Sequence, residues 1–195
     1  VDIEYKFPFG WAELAGVANR TDYDLKRHAD FSGQDLKYFD EKTGKRYLPY
    51  VIEPTIGIER LLLALLIDAY EEVKGGRTKT TEAVKEVETV LRLSKKIAPV
   101  QVAILPLVKN KPEIVKKARE IFNLLKSHFL VEYHSSGSIG RRYRRADEIG
   151  TPYCITVDFD SLKKKDVTIR DRDTMSQKRV KIKDLIETLE KKFKD

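Results

Sequence analysis

Glu53-Pro54-Thr55-Ile56-Gly57-Ile58-Glu59-Arg60 runs directly into the apolar stretch Leu61-Leu62-Leu63-Ala64-Leu65-Leu66-Ile67. An unpaired buried carboxylate or guanidinium is costly, so Glu53, Glu59 and Arg60 must pair with each other or face a polar ligand. Arg60 falls in the first turn of the predicted helix, where the macrodipole disfavours a cation by roughly 0.3–1 kcal/mol and an anion beside it is wanted. That anion is either a carboxylate, Glu53 being the nearest candidate for fixing a strand-to-helix corner, or a phosphate, which helix N-terminal amides bind readily. Gly57 allows a positive φ or a close backbone approach. Glu13 stands out for another reason: it is a carboxylate among Trp11, Ala12, Leu14 and Ala15, and needs a partner.

A second constellation is basic. Arg141, Arg142, Arg144 and Arg145 surround Tyr143, mixing phosphate-pairing guanidinium groups with an aromatic face on which a base can stack. One helix cannot turn them all the same way, so some must pair with Asp147, Glu148 or the C-terminal helix. Arg170 and Arg172 alternate with Asp171 and Asp173, suited either to reading base edges or to a surface ion-pair ladder. Lys163-Lys164-Lys165 is most simply a solvated turn.

The elements that must position these groups follow from periodicity. Val1, Ile3, Tyr5 and Phe7 alternate with polar residues as a half-buried strand, and Trp11 to Val17 reads as a second. Asn19 to Phe31 suits a helix or loop. Asp40 to Lys45 is a hairpin-like turn between Leu36–Phe39 and a strand from Arg46 that ends at Glu53-Pro54. A helix follows from about Ile58 to Val73. Lys74 to Thr81, with Gly75-Gly76, reads as a loop, and Glu82 to Lys96 as a charged linker. Beyond it the order is strand (Val100–Val108), helix starting at Pro112, strand (Phe129–Tyr133), helix (Arg141–Ile149) closed by Gly150, and strand (Tyr153–Phe159). Strands at Asp166–Arg170 and Arg179–Ile182 and a helix over Lys183–Phe193 complete it. This argues two domains, residues 1–97 and 98–195, the second a compact α/β domain with a sheet of mixed direction.

Charge supports the division. Residues 1–97 carry 16 Lys and Arg against 17 Asp and Glu, whereas residues 98–195 carry 22 against 14. All of the net +7 therefore lies in the second half, as for a polyanion-binding module, nucleic acid being the commonest partner. The single cysteine, Cys154, excludes an internal disulfide framework and points to the cytoplasm. His28, His128 and His134 are scattered, with no cysteine nearby for a structural metal site. The longest apolar run is interrupted by charges and falls short of the ~20 residues that span a bilayer. The sole methionine is Met175, and Val1 opens inside a strand pattern, so an N-terminal portion is expected to precede it.

Gly10-Trp11-Ala12-Glu13-Leu14-Ala15-Gly16, Asn19-Arg20-Thr21-Asp22-Tyr23-Asp24-Leu25 and the Glu53–Arg60 segment together resemble the C-terminal part of a class II aminoacyl-tRNA synthetase catalytic domain, Glu53–Arg60 being similar to its third signature motif. Ala98 to Leu107 and Ser135-Ser136-Gly137-Ser138-Ile139-Gly140 through Gly150 resemble the anticodon-binding domain shared by the glycyl, threonyl, prolyl and histidyl enzymes. The Ser-Ser-Gly-Ser-Ile-Gly run and Thr168-Ile169-Arg170-Asp171-Arg172-Asp173 point to the glycyl family, of the archaeal and eukaryotic-like dimeric type.

The resemblance implies an α/β chain in two parts: a remnant of an antiparallel-sheet catalytic domain over 1–97, and an anticodon-binding domain with a mixed five-stranded sheet over 98–195. It implies activation of glycine with ATP to glycyl-adenylate and transfer to tRNA for glycine, with no protein nucleophile, positioning and charge stabilisation carrying the chemistry. On this reading Arg60 contacts ATP, and Glu13 and the Leu14 backbone hold the nucleotide or its Mg2+, with Gly57, Ile58 and Glu59 shaping the pocket. Glu53, Pro54, Thr55, Ile56 and Gly57 surround glycine, Glu53 pairing with its ammonium and the Thr55 methyl excluding larger side chains. Arg141, Arg142, Arg144, Arg145, Arg170 and Arg172 meet the tRNA. The first motif of the class, which builds the dimer interface, and the second, whose arginine grips the α-phosphate, do not occur in the sequence. The full-length protein is accordingly expected to be a homodimeric ligase and this chain alone inactive. A non-catalytic tRNA-binding accessory protein derived from such an enzyme is the competing expectation.

Overall fold

A computed structural model describes residues 1–75 and 87–194. The chain divides into two compact units, Val1–Ile67 and Asp68–Asp195. The division falls earlier in the sequence than the expected 97/98 boundary, because the segment read as a linker holds a strand that belongs to the second unit.

In the first unit β1 (Asp2–Phe7) and β2 (Gly10–Asn19) form an antiparallel hairpin. Gly10, at φ 118°, closes a turn that an L side chain would strain. Helix α1 (Tyr23–Ser32) follows, capped by Gly33 in the left-handed region. β3 (Tyr38–Asp40) and β4 (Lys45–Tyr47) form a separate small hairpin around the expected Asp40–Lys45 turn, where the Gly44 N–H donates to the Asp40 carbonyl. β5 (Ile52–Ile56) pairs antiparallel with β2, giving the three-stranded order β1-β2-β5. The strand expected to stop at Glu53-Pro54 thus runs through it: among the described residues β5 has β2 as its one neighbour, and an edge strand tolerates a residue that brings no N–H. Helix α2 (Ile58–Ala69) starts two residues later.

In the second unit β6 (Tyr70–Lys74) pairs antiparallel with β7 (Val87–Leu91). Val87–Leu91 was expected to be linker; its Glu88 and Val90 are buried, which is what a pairing strand, not a solvated tether, requires. The expected loop and linker residues 76–86 lie outside the described residues. There follow β8 (Val102–Pro106), α3 (Pro112–Leu125), β9 (Val131–Tyr133), α4 (Ile139–Glu148), β10 (Tyr153–Val157), α5 (Phe159–Lys164), β11 (Asp166–Asp171), β12 (Gln177–Lys181) and α6 (Leu185–Lys194). Helix α5 lies where the sequence suggested only the tail of a strand and a basic turn. Its start is set by a capping box, the Asp158 carboxylate accepting from the Ser161 N–H at 2.9 Å.

The sheet has the order β12-β11-β10-β8-β9, with β8 parallel to β9 and β10, and β11 antiparallel to β10 and β12. This is the mixed five-stranded α/β architecture that the sequence predicted. β8 and β10 are buried along their whole length, as central strands covered on both faces are. Val102, Ile104, Tyr153, Ile155, Val157, Val167 and Ile169 form one face, packed against Ile114, Ala118, Ile121 and Leu125 of α3 and Leu185 and Leu189 of α6. The α3 residues recur at helical spacing, so one stripe of that helix is buried. The opposite face is smaller: Ala103, Leu105 and Cys154 pack on Ala146 of α4, with Ile139 and Tyr143 at the margin.

Candidate functional site

In the first unit the β5-to-α2 corner is tied back to β2. The Gly57 N–H donates to the Leu14 carbonyl at 3.4 Å, and Nη1 of Arg60 donates to the Glu13 carbonyl. Arg60 thus turns toward β2, not toward Glu53. A carbonyl partner leaves the guanidinium charge unneutralised, so its preference for an anion at the start of α2 persists. Glu53 is engaged elsewhere: its Oε2 is 3.3 Å from Nε of Arg20, which also holds Asp24 at 2.9 Å.

Glu13, Leu14, Ala15, Thr55, Gly57, Glu59 and Arg60 line one cleft of about 340 Å³. Five of them are among the residues expected at the nucleotide, and Thr55 among those expected at glycine. Ile58, exposed at the head of α2, and Glu53, Pro54 and Ile56 are not part of this lining. Gly57 does not need a positive φ; a Cβ there would meet the Arg60 side chain at an ordinary 3.6 Å. Ala15 and Gly16 were not singled out in the sequence. A Cβ on Gly16 would lie 3.2 Å from Glu13 Oε1 and 3.4 Å from Thr55 Oγ1, so the missing side chain leaves room for both polar groups beside β2.

The basic constellation of the second unit separates into two kinds of arginine. Ser138 caps α4, its hydroxyl accepting from the Arg141 N–H. Arg141 and Arg145, one turn apart, are exposed. Arg142 is only 3% exposed. Its Nη1 donates to the carbonyls of Pro106 (2.6 Å) and His134 (3.1 Å) and its Nη2 to that of Leu107 (3.1 Å), stitching the ends of β8 and β9 to α4. Burial pushes its pKa down, while the carbonyl dipoles hold the cation in place. Arg144 lies 3.9 Å from Glu88 of β7, both nearly covered.

Arg170 makes a bidentate, buried pair with Asp147 at 2.7 and 2.8 Å and lies over the Tyr143 ring at 4.8 Å. Burial works to lower its pKa, but the hydrogen bonds and charge of Asp147 leave it raised. The Tyr143 hydroxyl meets Thr156 Oγ1, so this ring is a structural bridge and not the open stacking face expected of it. Arg172, also buried, donates to the carbonyls of Leu91 (3.1 Å) and Gly150 (2.8 Å) and binds Asp173 bidentately at 2.8 and 2.9 Å. Both Arg170 and Arg172 are therefore internal. The expectation that they read base edges meets guanidinium groups already committed to carboxylates and carbonyls.

Residues 101–192 match the anticodon binding domain family. Over 99% of its length the chain is 56% identical to the glycine–tRNA ligase of Clostridium acetobutylicum, and over 97% of its length 54% identical to that of Clostridium perfringens. The corresponding protein of Caldanaerobacter subterraneus is 55% identical over 99% of the chain. The chain spans about 40% of the length of these relatives. The resemblance to glycyl-tRNA synthetase read from the sequence thus extends along both units, and the residues that match the anticodon binding domain family make up most of the second. Among the described residues no helix is long and apolar enough to cross a membrane, and no group of three or more His, Cys, Asp or Glu is placed to hold a metal ion.

Proposed function

We propose that the chain is the C-terminal part of a class II glycyl-tRNA synthetase, a cytoplasmic homodimer in full, contributing one wall of the ATP and glycine site and the tRNA anticodon-binding module. The observation that carries this reading is the convergence of Glu13, Leu14, Thr55, Gly57, Glu59 and Arg60, residues from three elements, on one cleft. Arg60 presents a cation there whose bonded partner is a carbonyl. It would meet an ATP phosphate, and positioned guanidinium groups stabilise charge that develops on a transferring phosphoryl group.

Glu13 and Glu59 bring two carboxylates to the same cleft. That is too few for a protein cage, but Mg2+ commonly sits between one or two carboxylates and substrate phosphates, so the residues fit an ion that arrives with ATP. Mg2+ would supply charge neutralisation of the phosphates; Glu13 would orient it. Glu53 would exchange its ion pair with Arg20 for the glycine ammonium, at little cost because both groups are about half exposed. Thr55 would offer its hydroxyl beside it.

The first unit also supports the reading through what it leaves uncovered. Ile52 and Ile56 of β5 and Leu62, Leu63, Leu65 and Leu66 of α2 are exposed apolar side chains on consecutive elements. We assign their cover to the part of the relatives' length that this chain does not span.

The test is glycine-dependent ATP–pyrophosphate exchange. The chain alone should show none, and the full-length protein should show it, with Arg60→Ala lowering the rate at least a hundredfold, the loss of about 2.7 kcal/mol of transition-state stabilisation. Exchange by the chain alone, or full activity of Arg60→Ala, overturns the proposal, the first by making the site complete here and the second by removing Arg60 from it. Binding of tRNA by a full-length protein without exchange would favour the accessory protein.

A further inference from the structure

The second unit carries a cleft of about 390 Å³ lined by Arg92, Leu93, Ser94, Lys95, Lys96, Arg172, Asp173 and Phe193. Its walls are the segment that leaves β7, the end of β11 and the last turn of α6. Most of these residues, Arg92 to Lys96 and Phe193, lie outside residues 101–192 that match the anticodon binding domain family. Its size is at the lower end of ordinary ligand pockets, enough for one nucleotide-sized group.

The floor is held by ion pairs. Asp173 accepts from Arg92 Nη1 at 3.0 Å and holds Arg172 bidentately, so one carboxylate fixes two guanidinium groups. Burial works to raise the pKa of Asp173, but the Arg172 hydrogen bond and the charges of both arginines keep it lowered and the carboxylate ionised. Arg92 is further held by Glu71. These two carboxylates offset the two arginines. Lys95 Nζ donates to the Lys192 carbonyl at 3.0 Å, a partner that orients the ammonium without cancelling its charge, and Lys96 is exposed at the rim. The cleft therefore keeps a surplus of positive charge contributed by the two lysines. Beside them is an apolar side: Leu93, and Phe193 stacked on Phe129 at 5.4 Å and set edge-on to Tyr153 at 5.3 Å.

We propose that this cleft seats one nucleotide of a single-stranded RNA segment, its phosphate against Lys95 and Lys96 and its base or sugar against Phe193 and Leu93. Cations beside an aromatic face are the chemistry that single-stranded RNA requires, and an RNA strand brings the phosphates that the surplus charge attracts. The inference rests on the reading that this half of the chain binds tRNA, and names a second contact surface apart from Arg141 and Arg145 on α4.

The experiment is fluorescence anisotropy of the whole chain with an RNA hairpin carrying the glycine anticodon stem and loop, titrated at several salt concentrations. Lys96→Ala should weaken binding at least threefold and reduce the salt slope by about 0.7, and Lys96→Glu should weaken it further. In amine acetylation of the wild type, the hairpin should protect Lys96. Unchanged affinity and slope in both variants, with Arg145→Ala still weakening binding, would overturn this site and leave the tRNA reading standing. A wild-type chain that binds no hairpin would overturn both. Equal protection of Lys96 by free adenosine monophosphate would make the cleft a mononucleotide site and overturn its assignment to an RNA strand.

Discussion

Replacing Arg142 with alanine separates a framework arginine from a contact arginine. Its guanidinium is 3% exposed and donates to the carbonyls of Pro106, Leu107 and His134. Hydrogen bonds involving a charged group contribute about 1.5–3 kcal/mol each, but the cost of desolvating the cation offsets part of this and the three losses do not add. Arg142→Ala removes the donor for all three carbonyls at once and opens a cavity beneath α4, for an expected net loss of about 3 kcal/mol from a total of about 5–15 kcal/mol. Cys154 provides the readout. It is the sole cysteine, 1% exposed on β10, and burial pushes its thiol up to about 12, so a thiol reagent at pH 8 reports the opening of this sheet. Where reclosing outpaces labelling, a loss of about 3 kcal/mol raises the rate more than a hundredfold. Arg145→Ala, which changes an exposed side chain, should stay within about threefold. A rate for Arg142→Ala less than tenfold above wild type would refute the reasoning, all the more if the same variant shallowed the salt dependence of RNA binding.

Two further outcomes follow from the same unit. Asp158 is hydrogen-bonded and paired to Arg179 at 2.8 Å, which holds its carboxyl down at about 2 against an ordinary 3.8. Because the folded value is the depressed one, the stabilisation is present above about pH 4 and disappears as pH falls to about 2; after allowance for the partly exposed Arg179 it is worth about 1–2 kcal/mol. Urea unfolding should therefore find Asp158→Asn less stable than wild type at pH 7 and equal to it near pH 2, a gap independent of pH being contrary to the expectation. Gly150, which ends α4 at φ 82°, would place a Cβ 3.0 Å from Leu93 Cδ1 and 3.1 Å from the Leu91 carbonyl oxygen. Gly150→Ala should cost about 1–3 kcal/mol in the same measurement, and no loss would mean that the segment after β7 gives way freely.

Periodicity made the regular parts legible. The α3 stripe, the buried runs of β8 and β10 and the close of α4 at Gly150 each follow from local pattern, because a strand covered on both faces must be apolar throughout and a helix on one face must repeat at 3.6. The strand at Val87–Leu91 escaped because it alternates Glu88 and Val90, both buried, and a buried carboxylate is invisible to a hydrophobic pattern. Arg60 was identified as a cation in need of an anion, but its turn toward the Glu13 carbonyl depends on how β2 pairs with β5, which no window of sequence contains. The arginines show the same limit. Tyr143 and the four arginines around it read as a ligand face; that Arg142 would be sunk beneath β8 and Arg170 bound to an aspartate 23 residues earlier is set by the sheet order. Conversely, Arg92, Lys95 and Lys96 read as a charged linker until the end of α6 and the turn after β11 came up beside them.

The two faces of the five-stranded sheet are fastened by different means. Aliphatic side chains of many shapes hold α3 and α6, whereas α4 is held over alanines by Arg170 with Asp147 and by Tyr143 with Thr156. Over generations these faces must drift differently. The first should accept single exchanges among leucine, isoleucine and valine more readily, while on the second a change in one partner leaves the other without its bond, which couples residue 143 to 156 and 147 to 170.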